Sequence, residues 1–458
     1  MERERLGSRL GFILISAGCA IGIGNVWRFP TVAGQNGGGL FVLIYLLFLV
    51  ILGIPVMTME FAMGRAAQKS PIKLYQQLEK PNHKWHIHGY FALAGNVILM
   101  MFYTLVAGWM LQYFGYTAFG KFDGMQTRAE ISGVFGEMLS SPWVLIAFVA
   151  GVVFIGFLVC SFDMQKGLEK ITKIMMIALL AIMVVLAIRS FFMPGAGEGL
   201  KFYLVPSVEK VKNAGFLNVV VAAMNQAFFT LSLGMGSMAI FGSFINKDRA
   251  LMGESVTIAI LDTFVAITAG LIIFPACYSY NVPVDAGPSL IFETLPHVFN
   301  SMSGGRFWGS LFFIFLSFAA LSTVFAVFQN ILSCTQDLFG WEKKKACLID
   351  GIIMFVLSVP CVLGFNIWSG FMPFGTGSNI MDLEDFIVSN IILPAGSLVF
   401  VIFCTNKFGW GFDSFMEEAN LGKGLKVKKW MKAYMRFALP VVTGVLLVYG
   451  IVAKFLPQ

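Results

Sequence analysis

The sequence predicts an all-α polytopic membrane protein of eleven transmembrane helices, two of them broken. Three observations predict it. The 458 residues are 57% apolar and only 12% charged, against about 25% charged in a soluble domain. Eleven apolar runs reach the length of about 20 residues that a helix needs to span a bilayer. The first and sixth of these runs carry glycine and polar clusters that an uninterrupted membrane helix should not hold.

The runs fall at 10–36, 40–62, 90–119, 143–160 and 171–193, then at 216–243, 254–280, 308–336, 347–367, 384–404 and 434–455. No linker or low-complexity stretch divides them, so one transmembrane domain over 1–458 is expected. Within it, 1–195 would hold the first five helices, 215–405 the second five and 430–458 the eleventh. An odd number of spans puts the termini on opposite sides. With the N-terminus in the cytoplasm, the inside segments carry 23 Lys and Arg and the outside segments 8. The positive-inside rule then gives a plasma (inner) membrane protein with a cytoplasmic N-terminus and an extracytoplasmic C-terminus. The net charge of +7 is thus a matter of topology, not a nucleic-acid footprint. The basic stretch 423–436 also reads as an interfacial segment touching anionic membrane lipid, although ordinary topology explains it as well. Arg3 and Arg5 before an apolar run suggest a signal peptide, but the run is polar and glycine-broken, with no convincing small-residue cleavage site. The seven cysteines show no C-x-x-C spacing and read as small buried hydrophobes.

The first run contains S-A-G-C-A-I-G-I-G-N-V-W-R-F-P at 16–30, with Gly18, Gly22, Gly24, Asn25 and Arg28. Glycine is a poor helix former. A helix broken here frees backbone amides and carbonyls, which must be buried in protein or line a polar cavity. The sixth run repeats the anomaly in N-Q-A-F-F-T-L-S-L-G-M-G-S at 225–237. One break opens the first five helices and the other opens the second five. Interrupted helices in matching positions point to a binding site between inverted 5+5 repeats, although no residue-level repeat is visible. Gly18-x-x-x-Gly22 alone would also fit a helix-contact motif. Both clusters together, with Asn25 and Thr230 beside them, favour a site.

Other chemistries find no support. There is no Walker A motif, and G-I-G-N at 22–25 lacks the third glycine and the strand of a dinucleotide fold. No nucleophile–base pair is apparent, so no enzyme and no nucleotide cofactor are expected. His83, His86 and His88 lie in a basic loop without a neighbouring cysteine and read as loop residues.

G-N-V-W-R-F-P at 24–30, N-G-G-G at 36–39, G-I-P-x-x-x-x-E-F-A-M-G-R at 53–65 and Q-A-F-F-T-L-S-L-G at 226–234 together resemble the neurotransmitter:sodium symporter family, in its eleven-helix bacterial branch. The resemblance covers nearly the whole chain. It implies the inverted 5+5 fold with substrate and two sodium ions near the membrane centre. It implies a first sodium held by the Ala20 carbonyl, Asn25, Thr230, Asp262 and the substrate carboxylate. A second would be held by the Gly18, Ile21 and Ala319 carbonyls and the Ser322 and Thr323 hydroxyls. Thr then Ser is commoner in the family at the last two positions. All are oxygen ligands, as a hard cation requires. Chloride-dependent members place asparagine where Asp262 stands, so chloride independence is expected, with Asp262 as a candidate proton carrier on the return step.

The same resemblance implies a substrate that brings its own carboxylate, because Cys19 stands where monoamine carriers have aspartate. The carboxylate would meet the Ile23 and Gly24 amides and the Tyr103 hydroxyl. The ammonium would meet the Ala20, Phe229 and Thr230 carbonyls, with help from Ser232. The side chain would meet Leu99, Tyr103, Phe229, Met235, Thr323, Val324 and Val327. This apolar pocket suits Tyr, Trp, Phe or Leu, and Met235 in place of a bulky aromatic leaves room. Arg28 would pair with Asp385 as the outer gate over a lid of Tyr103 and Phe229, and Arg3 with Asp337 as the inner gate. Glu60 would hold amides of the broken sixth helix. Two departures touch the inner side: Leu6 stands where a tryptophan is usual, and 166–189 contains no proline. The leading expectation is a sodium-coupled amino-acid symporter working by alternating access. A non-transporting receptor or a channel on the same scaffold is the alternative.

Overall fold

The computed structural model describes residues 6–125, 127–280 and 289–455. Among these no strand forms; a single isolated bridge joins Arg249 to Lys423. The first predicted span is a bent pair, α1 (Arg9–Ala20) and α2 (Gly24–Gln35), at 53° to one another. Four long helices follow: α3 (Gly39–Ala67), α4 (His86–Ala118), α5 (Pro142–Ser161) and α6 (Gly167–Phe191). The sixth predicted span is also two pieces, α7 (Phe216–Thr230) and α8 (Ser237–Gly242). Then come α9 (Leu251–Ser279), α10 (Gly305–Phe339), α11 (Lys343–Leu363), α12 (Ile380–Thr405), the short α13 (Phe412–Ala419) and α14 (Met431–Phe455). Among the described residues, nine helices are long and apolar enough to cross a membrane, and α1–α2 makes a tenth. Neither α7 nor α8 reaches that length. The expectation of eleven spans is therefore met for ten, and the segment 216–243 is split more completely than its hydropathy suggested.

Burial grades the helices from centre to periphery. In α10, 83% of the apolar stretch is buried, against 17% in α14 and 33% in α6. An all-apolar helix with one face uncovered suits lipid. The bent pair α1–α2 packs against α9 and α10, and α7 and α8 pack against α3. The two breaks therefore meet at the centre, walled by α3, α4, α9 and α10. Short helices at Pro71–Leu78, Arg128–Ser140, Ala196–Leu204 and Leu295–Asn300 sit between the spans.

One end of the bundle is closed by a clasp. Arg65, in the last turn of α3, is fully buried, and its Nε donates to Glu418 Oε1 of α13 at 2.7 Å. Its other nitrogens donate to the Arg249 carbonyl at 2.7 Å and to the Glu418 carbonyl. The chain beyond α13 pairs with the α8–α9 loop through Lys423 N–Asp248 O and Ala250 N–Lys423 O. Removing one partner of a buried pair costs about 3–5 kcal/mol when the other is left uncompensated; Glu418 keeps Lys247 at 3.6 Å, so the lower end of that range applies. Arg65→Met is accordingly expected to lower stability by about that amount, with the loss seen as a reduced Tm in detergent. An unchanged Tm would show that the clasp contributes nothing.

Candidate functional site

The first break spans only residues 21–23. The Ile21 amide still bonds to the Ala17 carbonyl, and the helix resumes at Gly24 with a wide π-helical turn. The amides exposed by the break find side chains. Gly22 N–H donates to Asn25 Oδ1 at 3.3 Å, and Ile23 N–H donates to the Tyr103 hydroxyl of α4 at 2.9 Å. The Gly24 carbonyl accepts from Gln226 of α7 at 2.9 Å. Glycine is needed here for close approach. A Cβ at Gly22 would stand 2.3 Å from Tyr103 Oη, and one at Gly24 would stand 2.8 Å from the Phe229 ring.

The second break, at 231–236, is held by positive φ angles at Ser232, Gly234 and Gly236. The Gly234 amide donates to Glu60 Oε1 at 2.6 Å. The Ser232 hydroxyl crosses to the Cys19 carbonyl at 3.1 Å. The two interrupted helices therefore touch through their own freed groups, and Glu60 stands where the sequence placed it.

Two oxygen clusters flank this junction. In the first, Asp262 on α9 is fully buried. Asn25 Nδ2 donates to its Oδ1 at 2.7 Å, and the Thr230 hydroxyl lies 3.2 and 3.1 Å from its two oxygens. Tyr45 Oη of α3 lies 3.4 Å away. No lysine or arginine pairs with Asp262 among the described residues. In the second cluster, the Ser322 hydroxyl lies 3.3 Å from the Ile21 carbonyl and 2.9 Å from that of Ala319. The Thr323 hydroxyl lies 3.2 Å from the Gly18 carbonyl and 3.4 Å from that of Cys19. Side-chain and main-chain oxygens thus converge twice, from α2, α3, α7 and α9 at the first cluster and from α1 and α10 at the second, a donor chemistry suited to small hard cations.

Between the clusters lies a small central cavity lined by Cys19, Ala20, Gly22, Gly24, Leu99, Tyr103, Phe229, Ser232, Met235, Thr323 and Leu393. A wider vestibule of about 190 Å³ lies beyond it, walled by Trp27, Arg28, Phe102, Val106, Met381 and Asp385. Gly24, Tyr103 and Phe229 line both and form the partition. Over that partition the Arg28 guanidinium lies 4.1 Å from the Phe229 ring centroid and 3.6 Å from Asp385. Ser389 steadies Asp385 with a 2.7 Å hydrogen bond.

Some expectations are corrected. Val324 and Val327 are buried but do not line the cavity. Val324 is rotated off the Thr323 face, and its Cγ1 would lie 3.2 Å from a Cβ at Gly156 of α5. Val327 lies one turn along α10 from Thr323, fully buried. The Thr230 hydroxyl lies against Asp262, beside Asn25, as expected of the first ion cluster. Arg3 lies outside the described residues, and the Asp337 carboxylate accepts from the Ser70 amide at 2.7 Å. Tyr45, Gln226 and Leu393 were missed. A lone tyrosine or leucine in an apolar run gives no signal, whereas Gln226 next to Asn225 was a visible polar pair in a membrane segment.

The chain matches the model of the sodium:neurotransmitter symporter family over residues 3–122 and 134–457. It is 34% identical over 402 residues to YhdH of Bacillus subtilis (strain 168), an uncharacterized sodium-dependent transporter, covering 87% of each chain. It is 29% identical over 456 residues to an uncharacterized sodium-dependent transporter of Haemophilus influenzae (strain ATCC 51907), covering 98% of each. The crystal structure of MhsT in complex with L-phenylalanine superimposes with a TM-score of 0.88 at 34% identity, covering 98% of this chain and 100% of that one. Motifs, two matched helix breaks and similarity along nearly the whole chain agree, and the protein belongs to the sodium:neurotransmitter symporter family, a family of membrane transporters and not of enzymes.

Proposed function

We propose that the protein is a sodium-coupled symporter that imports a large hydrophobic or aromatic amino acid, without chloride. The observation that carries this reading is the convergence of Asn25, Thr230 and Asp262 from three helices at the junction of the two breaks. A buried carboxylate without a basic partner is costly in a membrane and marks an ion pathway. Sodium supplies the missing positive charge. The first ion would be held by the Ala20 carbonyl, Asn25, Thr230 and Asp262. The second would be held by Gly18, Ile21, Ala319, Ser322 and Thr323. Because Asp262 brings its own negative charge, chloride has no role, and the same carboxyl is the group to take a proton on the empty return.

The substrate carboxylate would sit on the Ile23 and Gly24 amides at the positive end of α2, beside Tyr103 and the first sodium. Its ammonium would face the Ala20, Phe229 and Thr230 carbonyls and Ser232. Leu99, Met235, Leu393 and the Phe229 ring leave an apolar space for its side chain. MhsT, with L-phenylalanine bound in its crystal structure, supports a substrate of this class. Arg28 and Asp385, above Tyr103 and Phe229, would close the outer path, and Arg3 with Asp337 the inner one. The two halves, 1–195 and 215–405, would rock against each other about this site, with the N-terminus inside the plasma membrane and the C-terminus outside.

Uptake into proteoliposomes tests this. An inward sodium gradient is expected to drive accumulation of phenylalanine, tryptophan, tyrosine or leucine, with equal rates in chloride and gluconate. Accumulation of no amino acid under a sodium gradient would sink the proposal. Binding without accumulation would favour a receptor.

A further inference from the structure

The chain between α13 and the apolar part of α14 has charge of one sign only. Residues 423–436 carry Lys423, Lys426, Lys428, Lys429, Lys432 and Arg436 and no acid. The segment is folded, not a free tail. Val427 is buried, and Asn420 grips it twice. The Val427 amide donates to Asn420 Oδ1 at 2.7 Å, and Asn420 Nδ2 donates to the Val427 carbonyl at 2.9 Å. Around this anchor Lys426, Lys428 and Lys429 stay exposed. Lys432 is taken by Asp413 at 2.9 Å. No carboxylate pairs with Lys426, Lys428, Lys429 or Arg436 among the described residues.

The depth of these charges is set by α14. Its Met431, Met435 and Leu439 are buried, and the Tyr434 hydroxyl donates to the Ile51 carbonyl of α3, which fixes the rotation of the helix. The opposite side presents Phe437, Val441, Val445 and Val448, all exposed, an apolar strip suited to acyl chains. Trp430, 69% exposed, stands at the start of that strip, and indole rings favour the headgroup level of a membrane. Arg436 lies about 9 Å further in, at 1.5 Å of rise per residue. Its Nε is buried and meets no acceptor, and its guanidinium lies 5.4 Å from the Phe437 ring. An arginine at this depth lays its stem along apolar surface and reaches back to the phosphates.

We propose that Lys428, Lys429 and Arg436, with Trp430 among them, bind the headgroup of an anionic phospholipid in the leaflet at the clasp end of the bundle (the cytoplasmic leaflet on the proposed topology). The lysines supply point charges, and Arg436 supplies the fork that matches a phosphate. The site also bears on the two broken helices. Lys423 of the same segment pairs with the α8–α9 loop on either side of Arg249, through Asp248 and Ala250. A Cβ at Gly422 would stand 2.3 Å from the Arg249 amide nitrogen, so the two backbones touch. That loop carries the Phe244 carbonyl, which accepts from the Leu6 amide ahead of α1 at 3.2 Å. A lipid that holds 423–436 therefore steadies α1 and α8, one piece of each broken helix. None of this depends on which substrate is carried.

The test is quenching of Trp430 in phosphatidylcholine proteoliposomes doped with brominated phosphatidylglycerol or brominated phosphatidylcholine. The same protein with Trp430→Phe supplies the background of the other tryptophans. Half-quenching by phosphatidylglycerol is expected at a mole fraction about tenfold or more below that for phosphatidylcholine. Lys428→Gln/Lys429→Gln should erase most of this preference, and Arg436→Gln should lower it about fivefold, the weight of one basic residue at an anionic surface. Arg436→Lys should lose less than Arg436→Gln. Lys344→Gln/Lys345→Gln removes the same charge at the start of α11 and should leave the preference unmoved. Equal quenching by the two lipids in the wild type overturns the site. So does a preference that survives the loss of both lysines and Arg436, or that the Lys344/Lys345 variant loses equally. In detergent, phosphatidylglycerol should raise the wild-type Tm more than phosphatidylcholine does. An equal rise overturns the link to α1 and α8.

Discussion

Asp262→Asn is expected to reduce sodium-driven uptake by two to three orders of magnitude in chloride-free medium, and to recover part of it when chloride is supplied. The carboxylate is fully buried and faces Asn25, Thr230 and Tyr45, none of them cationic. Its charge is therefore available to an arriving ion. Uncoupling one member of a buried charge pair costs about 3–5 kcal/mol, and each 1.4 kcal/mol is tenfold in affinity. The asparagine keeps the shape but not the charge. It also risks turning an amide donor toward Asn25 Nδ2, which itself donates at 2.7 Å. An added chloride restores the sign of the missing charge, and the Tyr45 hydroxyl beside it is a ready donor. Initial rates in chloride and in gluconate, at saturating sodium, decide the matter. A variant that transports at the wild-type rate and ignores chloride would remove Asp262 from the ion pathway.

The features legible in the sequence were those that break the rules of a membrane helix. Gly18, Gly22, Gly24, Asn25 and Asp262 are misplaced in lipid, so composition alone marks them, and the structure brings the two broken stretches together. Glu60 was visible in the same way, as a charge inside an apolar run. What was not legible obeys the rules. Tyr45 and Leu393 are ordinary residues in ordinary helices, and only the rotation of α3 and α12 about their axes turns them inward. The same holds in reverse for Val324. A shift of one position turns a helical side chain by about 100°, because 3.6 residues make a turn, and Val324 faces α5 instead of the cavity. The resemblance carried residue types across but not helix rotations. Asn96 and Asn330 fall between these cases. Each is a visible polar residue in an apolar span, but its partner, the Met235 carbonyl, exists as a free acceptor only because α7 and α8 do not join. The split of segment 216–243 was foreshadowed by Gly234 and Gly236. Its extent depends on Ser232, which adopts a left-handed φ of 51° that serine seldom takes and that no propensity would foretell.

Gly22→Ala is expected to abolish substrate binding and binding at the second sodium site while leaving the protein folded. Its methyl would stand 2.3 Å from Tyr103 Oη and 2.4 Å from Thr323 Oγ1. Neither atom ends a flexible chain. Tyr103 is buried, and its hydroxyl accepts the Ile23 amide. Threonine is β-branched and stiff at χ1, and the Thr323 hydroxyl reaches the Gly18 carbonyl. One methyl therefore displaces the tyrosine proposed to hold the substrate carboxylate and the threonine proposed to hold the second sodium. Overpacking of this kind costs about 1–3 kcal/mol of stability, which a large bundle survives. A misplacement of about 1 Å at a binding constellation costs about a hundredfold in rate, and here two constellations move at once. Uptake should fall at least that far, and phenylalanine should not raise the Tm in the presence of sodium. Gly115→Ala supplies the control, because a Cβ at that position of α4 meets nothing within 4 Å, and it should transport as the wild type does. If Gly22→Ala transports equally well, the junction of the two breaks is not where substrate and ions meet.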